Sequence, residues 1–193
     1  MKTVGRVAFA FGLVIAVAGC GGGGDAQPEA SADTTMQHDA APAAEQLSAE
    51  DQQAIDAVRQ KADGYKDLAA AKAAGYTKQY PEGCIQTADG SQGFHFLNES
   101  LVDDKVDVNT PELLMYEPKA DGSTELIGVD YAIPFDKWTA TEPPTLLGRP
   151  LMRNENLKVW ALHIWTHRAN PSGMFAAYNP TVNCDNAAAA KIK

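Results

Sequence analysis

Positive charge is scarce in this chain: 16 Lys and Arg stand against 25 Asp and Glu, a formal net charge of −9 over 193 residues. Neutralising phosphates requires clustered basic side chains, so the balance argues against nucleic acid as a partner and against electrostatic adhesion to anionic lipid. No phosphate-binding loop, dinucleotide fingerprint or Gly-x-Ser-x-Gly elbow occurs, which sets aside nucleotide chemistry and serine hydrolysis. The acidic stretch Leu101–Thr110 lacks the glycine and the closing glutamate of an EF-hand loop and reads as a solvated connection. Cysteine is sparse, with three in the chain. The apolar run Val7–Val17 is too short to span a bilayer comfortably.

That run has the place and length of an export signal, preceded by Lys2 and Arg6. It ends in Val17-Ala18-Gly19-Cys20, which resembles the lipobox of bacterial lipoproteins. The resemblance implies cleavage before Cys20 and an acyl anchor on its sulfur. In a Gram-negative cell, Gly21 after the cysteine implies the outer membrane, facing the periplasm. Residues 20–46 are rich in Gly, Ala, Pro and Ser and lack an apolar period, so they are expected to form a disordered tether. Membrane contact through Cys20 is then the expected partner interaction. Cys84 and Cys184 remain, an even pair in an oxidising compartment, and a disulfide between them is the expectation.

Residues 47–186 read as one α+β domain, with 187–193 as a disordered tail. Ser48 is placed to cap a helix that carries Ile55, Val58 and Ala62 on one stripe. A second helical stretch follows to Ala74, with Gly75 as its C-terminal stop. From Tyr80 onward the texture is of strands and turns. Glu112–Glu117 and Thr124–Ile133 flank Asp121-Gly122 as a hairpin, with Ile127, Val129, Tyr131 and Ile133 on its core face. The expected architecture is two N-terminal helices followed by an antiparallel β-sheet or a small cupin-like barrel.

The chemistry rests on imidazoles in apolar surroundings. Val159–Trp165 is an apolar strand interrupted by His163, and Gly93–Asn98 is a shorter one carrying His95. A buried imidazole must find a hydrogen-bond partner or a metal, because leaving its nitrogens unpaired costs roughly 1–3 kcal/mol. With Glu117 from a third strand, His95 and His163 make a two-His, one-carboxylate set suited to one divalent transition ion; Zn, Fe, Mn and Cu are not distinguished. Trp165, His167 and Arg168 follow His163 closely enough to be candidate ligand-binding residues, Arg168 for a carboxylate. The functional expectation is a transition-metal or small-ligand binding domain. The alternatives are a metal-dependent enzyme with an open coordination position and a metal-free interaction domain.

Across residues 50–184 the chain resembles a family of uncharacterised exported bacterial proteins. The shared elements are Gly93-Phe94-His95-Phe96-Leu97-Asn98, Pro111–Pro118, Leu162-His163-Ile164-Trp165, Asn170–Phe175, Asn179-Pro180 and Cys184. The resemblance implies one domain within these bounds, with no activity attached. It also implies that position 167 often carries an aromatic, which weakens His167 as a ligand.

Overall fold

In the computed structural model, which describes residues 47–192, the first element is helix α1 (Ala49–Ala62). The Ser48 hydroxyl accepts from the Asp51 N–H at 3.0 Å, satisfying one of the donors a helix start leaves free. A 3-10 turn at Asp63–Tyr65 leads to the six-residue α2 (Leu68–Ala73), and Gly75 ends it at φ +103°, where a side chain would be strained. The signal segment, Cys20 and the expected tether lie outside the described residues.

Eight strands follow: β1 (Lys78–Thr87), β2 (Gly90–Leu97), β3 (Leu113–Pro118), β4 (Thr124–Pro134), β5 (Thr145–Leu146), β6 (Arg149–Pro150), β7 (Met152–Asn154) and β8 (Val159–Ile164). Six of them form one antiparallel sheet in the order β1-β2-β3-β4-β8-β7, curled into a half-barrel, while β5 and β6 make a separate two-stranded ribbon. The fold is therefore α+β with an antiparallel sheet. A closed cupin-like barrel is not formed. The edge strands β1 and β7 do not pair with each other, and β7, at three residues, offers too short a ladder to close the ring.

Alternation along the strands gives the sheet two different faces. Phe94, Phe96, Leu114, Tyr116, Val129 and Ile164 point toward the helices and pack with Ile55 and Val58 of α1 and with Leu68 and Ala71 of α2. Ile55 and Val58 are fully buried, each worth roughly 1.5–3 kcal/mol of apolar burial. The buried tyrosines on this side satisfy their hydroxyls: Tyr116 donates to the Tyr65 carbonyl and Tyr131 to the Val108 carbonyl. The opposite face carries His95 and Leu97 of β2, Leu113 and Met115 of β3, Asp130 and Ala132 of β4, and Ala161 and His163 of β8, as the pairings place them.

Two features shape this second face. Between Gln79 and Cys84 the register of β1 on β2 shifts, so Tyr80–Gly83 bulge away from the partner strand opposite His95. After β8 the chain turns back; Ser91 and Asn179 exchange backbone hydrogen bonds at 3.1 Å, and the Cys84–Cys184 disulfide ties the segment to β1. Of the residues expected to be a disordered tail, the described ones, 187–192, are docked instead. Ala187–Ala189 forms a 3-10 turn, Lys191 donates its N–H to the Gly122 carbonyl, and the Ile192 carbonyl accepts from Lys72.

Candidate metal centre

The β4–β8 register sets Asp130 directly opposite His163, and β3 carries Leu113 between Asp130 and the strand of His95. Three side chains from β2, β4 and β8 thus converge on one face of the sheet. His95, Asp130 and His163 are 2%, 5% and 6% exposed. The two Nε2 atoms are 3.4 Å apart, and Oδ2 of Asp130 lies 3.5 Å from that of His163 and 3.8 Å from that of His95. These separations are long for hydrogen bonds, so three buried polar ends surround a point without binding one another well. A point in their plane equidistant from all three lies about 2.1 Å from each, the length of zinc–nitrogen and zinc–oxygen bonds. The group could hold a metal ion, and it is the one such cluster of His, Cys, Asp and Glu among the described residues. Behind it, Nδ1 of both histidines and Oδ1 of Asp130 are buried without a partner of full hydrogen-bond geometry.

Charge in the cluster is distributed unevenly. Burial pushes His95 down to about 4, with the Asp130 charge opposing that only in part, so its imidazole is neutral at pH 7 and offers a lone pair. His163 is raised above its ordinary value. Burial works against protonation there too, but the Asp130 carboxylate and the approach of the Ala177 carbonyl outweigh it. An ion entering the site therefore competes with protonation of His163.

The cluster forms part of the wall of a cavity of about 430 Å³ that also touches Tyr80 and Pro81 of the β1 bulge, Arg153 of β7, and Ala177 and Tyr178 of the returning segment. One side of the triad is thus open to a space large enough for a small molecule.

The structure brings together two of the three expected ligands. Glu117 is not the carboxylate: it lies four residues along β3 from Leu113, the partner of Asp130, or roughly 13 Å at the usual strand rise. Its oxygens are also occupied. Oε2 accepts from Lys119 at 2.6 Å and Arg168 at 2.7 Å, and Oε1 accepts from the Asn183 N–H at 3.1 Å. Arg168, expected near a ligand, joins Glu117 to Glu125 in this ion cluster and lies away from the cavity lining. Trp165 is a buried packing residue with Met115, Ile127 and Val182, its indole N–H donating to the Ala176 carbonyl at 2.7 Å. His167 faces Asp63 at 3.3 Å and Thr166 at 2.8 Å, pinning the end of β8 to the turn after α1.

Glu112, just before β3, is a third buried carboxyl, accepting from the Ala132 N–H at 3.1 Å. Burial raises it to about 8, and the nearby charges of Asp130 and Asp103 add to the effect. Its unfolded counterpart ionises near 4.5, so the folded state gains stability from the neutral acid below that pH and loses it as pH rises toward 8. Glu112→Gln is expected to match the parent protein below about pH 4 and to exceed it by on the order of 2 kcal/mol at pH 8. Denaturant unfolding at both pH values checks this; a variant less stable at pH 8 contradicts it.

Compared with known proteins, the chain matches no family model, no curated protein and no solved structure.

Proposed function

We propose that this chain is an exported metal-binding protein that holds one divalent transition ion on His95, Asp130 and His163 and presents the ion's open coordination position to the adjoining cavity. The observation that carries the reading is the convergence of three buried donors on a point at bond distance from all of them. Zinc is the ion chosen for the test, because two neutral imidazoles and one carboxylate match the three-ligand composition of open zinc sites.

The Lys2–Cys20 leader supports placement at a membrane through an acyl anchor, and the Cys84–Cys184 bridge supports an oxidising compartment. The full chain purified without added metal is expected to contain close to one zinc per molecule by mass spectrometric metal analysis, and His163→Ala to contain almost none. Absence of metal in the parent protein after incubation with zinc would sink the proposal.

The cavity beside the triad favours a second reading, a metal-dependent enzyme in which zinc-bound water takes the open position. Hydrolysis of an activated ester in proportion to zinc occupancy is the result that separates it from a binding protein.

A further inference from the structure

A second cavity of about 710 Å³ adjoins the one at the triad, and Tyr80, Ala132, Leu157 and Val159 line both. Most of the surface of its remaining wall is apolar, from Leu97, Val102, Pro134 and Phe135, although Lys78, Glu99, Asp136, Lys137 and Lys158 line it as well. The two cavities are successive stretches of the same concave face: from Asp130 and His163 it continues along β4 and β8 to Ala132, Ala161 and Val159. Tyr80 divides them. It leaves β1 at the bulge, packs on Leu97, Leu113 and Ala132, and donates its hydroxyl to the Leu157 carbonyl at 3.1 Å.

The charge at the triad selects the head of a ligand. A divalent ion with one aspartate and two neutral histidines keeps a net charge of +1 in a buried setting, and one monoanionic oxygen donor in the open position neutralises it. The mostly apolar surface of the second cavity selects the rest. We propose that the site takes a small organic monoacid whose carboxylate binds the metal and whose apolar body runs past Tyr80 along Ala132 and Val159 into the second cavity. This rests on the metal reading above. Tyr80 is then the specificity-determining residue: one side-chain hydrogen bond holds it across the path, so it sets how far an apolar body can extend.

The test is calorimetric titration of the full chain, first with zinc and then, zinc-loaded and zinc-free, with acetate and octanoate. Each buried methylene contributes roughly four-fold in affinity, so burying half of the octanoate chain gives about 60-fold tighter binding than acetate. Zinc removal is expected to weaken octanoate binding at least ten-fold, and Val102→Asp, which puts a charge in the second cavity, to weaken octanoate but not acetate. Equal affinity for the two acids overturns the assignment of the second cavity. Octanoate binding that ignores zinc overturns carboxylate ligation. Zinc that binds at one equivalent while either acid result fails leaves the metal reading standing; zinc that does not bind at all overturns both.

Discussion

Asp130→Asn is expected to weaken zinc binding by more than 100-fold, whereas Glu117→Gln leaves it within about two-fold. Losing a group that only orients a ligand already costs about 10–100-fold in metal affinity, and in the proposed site Asp130 supplies a ligand atom and the only negative charge of the triad. Asparagine keeps the size of the side chain, so the loss reads chemistry rather than packing. Glu117→Gln acts on the ion cluster instead. Lys119 and Arg168 lose the buried one of the two carboxylates they share, Glu125 remaining, and about 1–3 kcal/mol of stability goes with it. Zinc titration of both variants, alongside their unfolding curves, separates the two roles. Were Glu117→Gln the variant that loses zinc, the assignment of Asp130 would be wrong.

That contrast also marks where sequence reasoning stopped. His95 and His163 stood out because an imidazole in an apolar strand is unusual, and local composition is enough to see that. Asp130 had a comparable signal: an acid in the middle of an otherwise apolar arm, on the face opposite Val129 and Tyr131. Alternation alone makes such a residue a solvated one. Only the pairing of Asp130 with His163, across the connection 135–158 between β4 and β8, puts it in the interior. Glu117 had the right chemistry and the wrong distance along its strand, a quantity that hairpin pattern does not fix. The antiparallel sheet and the Ser48 cap were legible because they follow from local rules. Whether the sheet's edges meet depends on β7 ending after three residues, and the docking of the C-terminal segment depends on a backbone bond to Gly122, a side-chain bond from Lys72 and the packing of Ala187, Ala190 and Ile192, which composition does not encode.

The second large effect is expected from the disulfide. Replacing both Cys84 and Cys184 by Ser releases a crosslink across 100 residues, for which loop-closure entropy gives up to about 4.7 kcal/mol. A loss of roughly 3–5 kcal/mol corresponds to a fall of about 10–15 °C in Tm for a domain of this size. The crosslink spans almost the whole sheet, from β1 to the segment that returns after β8. The three residues of the proposed metal site sit on β2, β4 and β8, none of which carries a cysteine of the bridge, so zinc affinity of the folded variant is expected to change by less than about ten-fold. Thermal unfolding followed by circular dichroism checks the first part, and equal melting of variant and parent would refute it.

The donors of the triad lie 68 residues apart at their extremes and sit on strands that meet only once the sheet has assembled. An unfolded chain offers scattered single imidazoles and carboxylates, none able to chelate in this manner. On the proposed function, the ion is thus acquired only once the chain has completed its tertiary structure. If the chain is exported before folding, as proposed, the metal supply of the far side decides the occupant. Saturation with that ion at 100 times its Kd would deepen the native basin by about 2.7 kcal/mol, coupling the lifetime of the protein to the trace-element content of its surroundings.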